Sequence, residues 1–196
     1  MRLFAGVLPP PSVAAELGRA VDQLEDLPGA SALKWTGRPG WHLTLAFYGE
    51  VRQEPADPVP ELIRRLALAA RRTPPFTLAL RGAGVFGGRS LWADVAGDTG
   101  ALGRLSDGAQ EAARGAGLPM GERRRFRPHL SLARGRAGGF DLGPYVDAMA
   151  GFRGAEWEVG EVALVRSDLS GGGGGVGARA RARYEVVAAL ALGGGG

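Results

Sequence analysis

The chain contains no cysteine. That excludes a disulfide framework and any thiolate metal site, and it fits a reducing compartment. Lysine is nearly absent too: Lys34 stands alone, and every other basic side chain is arginine. No apolar run approaches the roughly 20 residues that a transmembrane helix needs. The opening M-R-L-F-A-G-V-L-P-P is too short and too broken by proline for a signal peptide, and reads as a buried first strand. A cytoplasmic monomer with no membrane association is expected. Histidine occurs twice only, at His42 and His129.

What is present suits one globular domain. Of 196 residues, 45% are hydrophobic, enough for a sizeable core, and 22% are charged, too few for extended disorder. The formal charge is +4. An arginine excess suits an anionic partner, because the guanidinium fork grips phosphate. The same charge also describes an ordinary soluble surface.

Residues 2–8 read as a strand. Pro10 and Pro11 mark a helix start, and residues 13–24 carry helical apolar spacing. Residues 33–35 form a short strand and 41–51 a longer one ending at Gly49. A helix over 59–72 shows Leu62, Leu66 and Ala69 on one stripe. Residues 76–80 alternate, 85–92 form two strands around a Gly-rich turn, and 99–116 is the longest helix. A basic stretch at 122–127 precedes a strand from His129. A short helix over 145–149 follows, then strands over 156–166 and 182–192. The glycine run at 170–175 between them reads as a mobile loop. Residues 1–192 are expected to form a single bilobal domain, with 193–196 a disordered glycine tail.

One four-residue pattern repeats. G-W-H-L-T-L-A-F occupies residues 40–47 and R-P-H-L-S-L-A-R residues 127–134. Side chains alternate faces along a strand. His42 and Thr44 therefore share a face opposed to Leu43, Leu45 and Phe47, as His129 and Ser131 oppose Leu130 and Leu132. Leucine is 24 of 196 residues, and serine plus threonine 12. A given histidine is followed by Leu-[Ser/Thr]-Leu by chance roughly once in a thousand. Two such runs, using both histidines, fit an ancient duplication into two similar lobes. Two histidines with no nearby carboxylate make a poor metal ligand set, so no metal and no cofactor is expected.

Two imidazoles flanking one anion can carry out phosphodiester chemistry. The neutral one takes a proton from the attacking oxygen, and the charged one gives a proton to the leaving oxygen. Histidine suits both tasks, because its ordinary pKa is about 6.5. Thr44 and Ser131 can donate hydrogen bonds to the non-bridging oxygens. The spacing leaves open which imidazole is the acid.

These residues resemble the two-histidine (2H) phosphoesterase superfamily and, within it, the RNA 2′,3′-cyclic phosphodiesterase family, historically called 2′-5′ RNA ligases. R-L-F-A-G-V-L-P-P, W-H-L-T-L-A-F-Y-G-E-V, F-R-P-H-L-S-L-A-R and V-A-L-V-R-S-D-L-S carry the likeness in order along the chain. The resemblance implies an α+β, bilobal fold: two similar lobes of antiparallel sheet with flanking helices around a central cleft. It implies hydrolysis of a terminal 2′,3′-cyclic phosphate to a 2′-phosphate, on RNA ends or small cyclic nucleotides. It also implies that His129 is the base activating water and His42 the acid. Serine in place of threonine in the second motif is within the pattern.

Around the motifs, Arg127 shares the parity of His129, and Pro128 holds it extended. With Arg123, Arg124 and Arg125 it could line an RNA backbone, or form an ordinary solvated loop. Arg134 falls on the core parity, so it reaches phosphate only if the strand bends; the resembling family often places arginine there. Arg38 precedes the first motif in a similar way. Tyr48, Trp41, Phe126 and Trp92 are candidates for stacking on a base or for packing, with Tyr48 on the face of His42. Two other readings use the same cleft: joining RNA ends through a 2′-5′ linkage, and holding RNA or nucleotide without turnover. The intact histidine pair favours catalysis, and the excess of water favours hydrolysis.

Overall fold

The structure is a computed structural model, described here for residues 1–121, 125–135, 140–168 and 183–193. Within them the elements are β1 (Arg2–Val7), α1 (Pro11–Glu25), β2 (Lys34–Trp35), β3 (Leu43–Glu50), α2 (Val59–Arg71), β4 (Phe76–Phe86), β5 (Ser90–Gly97), α3 (Thr99–Gly115), β6 (His129–Arg134), α4 (Gly143–Met149), β7 (Trp157–Val159), β8 (Glu161–Asp168) and β9 (Arg183–Ala191). The fold is α+β. One antiparallel sheet runs β7-β4-β5-β6-β3-β1-β8-β9, with β2 added beside β6. The order divides at its centre into two matching halves, β6-β5-β4-β7 and β3-β1-β8-β9, each led by a histidine motif.

The expected strand over 156–166 is two strands. Gly160 interrupts it, so that β7 pairs with β4 while β8 pairs with β1 and β9. A one-residue link cannot bridge a flat sheet of this width. The sheet therefore curls into a half-barrel that brings β7 back to β8. Leu192 N–H donates to the Gly160 carbonyl and Gly193 N–H to that of Ala70. The expected strand over 76–80 runs on to Phe86, because a register shift between Leu80 and Ala83 lets β4 keep pairing with β5.

The helices cover one face. α2 and α3 pack on each other and on β3, β8 and β9, and α4 packs on β4 and α1. Pro11 opens α1, and the Asp98 carboxylate caps α3 by accepting from Ala101 N–H at 2.7 Å. The α2 stripe closes with Ala70 rather than Ala69. Leucines at 3, 17, 43, 62, 66, 78, 80, 91, 102, 105 and 130 are essentially fully buried between helices and sheet, each contributing roughly 1.5–3 kcal/mol of burial. A small separate cluster of Phe4, Ala163 and Val165, with Tyr184 against it, lies on the other, open face.

Candidate active site

β3 and β6 meet at the centre of the sheet through the antiparallel pair Leu43↔Leu130. Both leucines point into the helix-covered core, so the residues flanking them point to the open face. One step along this register sets His42 opposite Ser131 and Thr44 opposite His129. The two imidazoles form a diagonal pair, about 7–8 Å apart at Cα in a regular ladder. His129 is near enough that its charge acts on His42. The four polar groups taken from the repeated motif therefore lie together, His42, Thr44 and His129 half-buried and Ser131 exposed. Neither hydroxyl bonds another described residue.

Each imidazole is held alike. His42 Nδ1 lies 2.7 Å from the Gly40 carbonyl, and His129 Nδ1 lies 2.8 Å from that of Arg127, in both cases two residues back along the chain. A carbonyl only accepts, so Nδ1 carries the hydrogen and Nε2 remains for chemistry. Pro39 helps form the short 3-10 turn Arg38–Gly40 that presents the first carbonyl. A side chain at Gly40 would strike the Tyr184 ring.

The walls differ. His42 stacks on Phe4, centroids 4.3 Å apart, with Tyr184 at 5.6 Å. His129 meets Phe86 edge-on at 4.9 Å, and Phe86 stacks on Trp92. Trp92 in turn lies flat on the backbone of Gly84, where a Cβ would collide with the indole. Burial lowers the pKa of His42, opposed by its bond to Gly40 and reinforced by the charge of His129.

Strand parity holds at the histidines and breaks one turn of pleat later. Ala5 pairs with Ala46 but Gly6 with Thr44, leaving Leu45 as a bulge; Leu91 pairs with Ala133 but Trp92 with Ser131, leaving Leu132 as the equivalent bulge. Beyond the bulges the faces exchange. Arg134, expected to need a bend, is exposed by this one. Phe47, expected in the core, is 48% exposed.

Tyr48 is corrected by the same bulge. It is buried, and its hydroxyl donates to the Ala109 carbonyl in α3, so it has no surface for a base. Trp41 is likewise buried, packed in the core ahead of β3, and cannot stack on a ligand. Phe126 packs against the core as well. Arg127 is exposed, its guanidinium 5.5 Å from the Phe86 centroid. Arg125 is exposed, and Arg123, Arg124 and the glycine run 170–175 lie outside the described residues. Arg38 is tied to α1 by two bonds to Asp22, at 2.8 and 2.7 Å. Sequence reasoning missed Phe4, Phe86 and Tyr184 at the imidazoles. The alternation Arg2, Phe4, Gly6 was the available sign for Phe4. Among the described residues, no group of three or more His, Asp or Glu side chains is placed to hold a metal ion, and no helix is long and apolar enough to cross a membrane.

Two histidine–hydroxyl pairs facing each other across a curled antiparallel sheet define the two-histidine phosphoesterase class. A family model described as LigT-like phosphoesterase matches residues 7–92, which include the first motif. An RNA 2′,3′-cyclic phosphodiesterase from Geobacillus stearothermophilus is 31% identical over 139 residues, 69% of this chain and 43% of that protein. The chain thus spans less than half the length of this curated relative. Among solved structures, TT0787 of Thermus thermophilus is similar with TM-score 0.74 and 28% identity, covering 99% of both chains. E. coli LigT complexed with 3′-AMP is similar with TM-score 0.68 and 25% identity, covering 97% of both. The chain is similar to the LigT-like phosphoesterases in sequence and in fold, and these likenesses support the two-histidine phosphoesterase family.

Proposed function

We propose that the protein hydrolyses 2′,3′-cyclic phosphates at RNA ends, or on small nucleotides, to 2′-phosphates without a metal. One observation carries this reading. Both imidazoles have Nδ1 occupied by the carbonyl two residues back, so both offer Nε2 to one anion between them. His129 Nε2 takes a proton from water as its oxygen bonds to phosphorus. The P–O3′ bond breaks, and His42 Nε2–H gives its proton to O3′. The products are a 2′-phosphate monoester and a 3′-hydroxyl. The imidazoles have then exchanged protonation states and reset by exchange with solvent. Thr44 and Ser131 donate to the non-bridging oxygens, where charge accumulates. Arg127 and Arg134 supply cations to the substrate's phosphates.

The assignment of acid and base rests on the family resemblance. Binding of an anion offsets the burial of His42 and favours the charged form that an acid requires. The test is incubation with an oligonucleotide ending in a 2′,3′-cyclic phosphate, in excess EDTA, with the product phosphate located by NMR. A 2′-phosphate formed at full rate is expected. A 3′-phosphate, or activity lost to EDTA and restored by a divalent cation, contradicts the reading.

A further inference from the structure

We propose that Asp94 is the second acceptor for the attacking water, and that it biases the site toward hydrolysis by favouring water over an alcohol. The inference rests on the cyclic phosphodiesterase reading above.

β5 lies along β6 through the pairs Ala93↔Leu130 and Asp94↔His129. Ala93 and Leu130 are fully buried. Asp94 and His129 therefore both face the open side, as does Trp92, whose ring lies 6.2 Å from that of His129. Directly paired residues have Cβ atoms about 4.5–5.5 Å apart. Asp94 is exposed, and its Oδ1 accepts from Val95 N–H at 2.8 Å. Among the described residues nothing bonds its Oδ2. His129 is in the same condition: the Arg127 carbonyl holds Nδ1, and Nε2 is free. No ion pair joins the two side chains. A carboxylate oxygen and an imidazole nitrogen, each without a partner, thus stand on neighbouring strands where one water can bridge them.

The strand order β5-β6-β3 puts Asp94 on the far side of His129 from His42. An in-line displacement needs its nucleophile on that side when His42 protonates O3′. The other lobe has no such acceptor. One step beyond the pair Val7↔Leu43 sets Leu8 opposite His42, and Leu8 is apolar and 41% exposed. Of the two sides, the one with His129 offers a water two acceptors, which agrees with His129 as the base.

Water has a hydrogen for each acceptor. As its oxygen bonds to phosphorus, one proton passes to His129 Nε2. The other stays on the new P–O–H, donates to Asp94 Oδ2, and is then released to solvent. An alcohol gives its one proton to His129 and turns carbon toward the carboxylate. The P–O3′ bond breaks as before, and the product is a diester linking the 2′-oxygen to the alcohol. That path forfeits a charge-assisted hydrogen bond. The 5′-hydroxyl end of an RNA is such an alcohol, and it brings further phosphates that the carboxylate repels. Asp94 thus turns the site away from end joining.

The test supplies adenosine 2′,3′-cyclic phosphate in water containing methanol and measures the 2′-phosphate and its methyl ester by phosphorus NMR. The wild type should form the 2′-phosphate in large excess. Asp94→Asn and Asp94→Ala should each raise the ratio of methyl ester to 2′-phosphate about tenfold, by lowering kcat for hydrolysis with KM hardly changed. In Asp94→Asn the amide oxygen stays on Val95 N–H, and a donor replaces the acceptor. The readout is a ratio on one preparation, so loss of folded protein does not alter it. An unchanged ratio in either variant overturns the inference and leaves the activity reading standing. A variant with the circular dichroism of the wild type that makes neither product also overturns it, because the path from methanol does not use Asp94. If the wild type makes neither product, the activity reading falls and this inference with it.

Discussion

Leu43 faces Leu130 across the middle strands, and this contact sets the register that gathers the two motifs. Each leucine is buried, at 1% and 0% exposure, and each separates a histidine from its hydroxyl partner. Anchoring these leucines in the core anchors the polar face above them. Leu130→Ala is expected to cost about 2–5 kcal/mol of stability by opening a cavity, read from urea denaturation. A cost under about 1 kcal/mol would show that the centre of the sheet collapses freely and does not fix the pair.

His42→Ala and His129→Ala should each lower kcat for 2′,3′-cyclic phosphate hydrolysis roughly 10²- to 10⁴-fold, and leave the far-ultraviolet circular dichroism unchanged. The double variant should lose little more than either single one, because the two groups act in one step. Full activity in either single variant would remove it from proton transfer.

The pH dependence of activity follows from a pair that must be unequally protonated. A bell-shaped kcat/KM profile is expected, its two limbs belonging to the coupled pair. A rate independent of pH from 5 to 9 would count against paired acid–base chemistry.

Stability should respond to pH through His42 in a definite sense. Its folded pKa lies below the ordinary 6.5, burial being the main cause. Between that folded value and 6.5, the unfolded chain binds more protons than the folded one, so stability rises with pH. It is fully present above 6.5 and is lost as pH falls through the folded value. His42→Asn should flatten this part of the stability curve; an identical slope in both proteins would contradict the lowered pKa.

Tyr48 supplies a contrast. Its hydroxyl donates to the Ala109 carbonyl, tying β3 to α3 at 3.2 Å. Tyr48→Phe leaves that acceptor without its donor and should cost about 1 kcal/mol, with kcat/KM for a nucleotide substrate unchanged. A selective rise in KM would place the ring at the ligand after all.

Much of the site was legible in the sequence because parity is local. His42 and Thr44, or His129 and Ser131, need only two residues of regular strand to share a face. The buried Leu43 and Leu130 follow from the same rule. Parity fails at Leu45 and Leu132, where a bulge depends on the length and pairing of the neighbouring strand, which no local pattern records. That is why Phe47 and Tyr48 exchange faces against expectation and why Arg134 reaches the open side. Gly160 is similar: a lone glycine in an apolar run does not reveal that the strands on either side pair with different halves of the sheet. The helix positions were readable from periodicity and the α+β class from the resemblance that the two motifs carry, whereas the curl of the sheet depends on long-range pairing. The rings around the imidazoles come from β1, β4, β5 and β9, elements that only the folded sheet brings together.

The most direct measurement of the shared phosphate site is an NMR titration of both imidazoles with adenosine 2′-monophosphate, the expected product. His42 and His129 Nε2 resonances should shift together with one dissociation constant, and His42→Ala should weaken the response of His129. Two separate constants, or a response from one ring alone, would contradict the claim that a single phosphate lies between them.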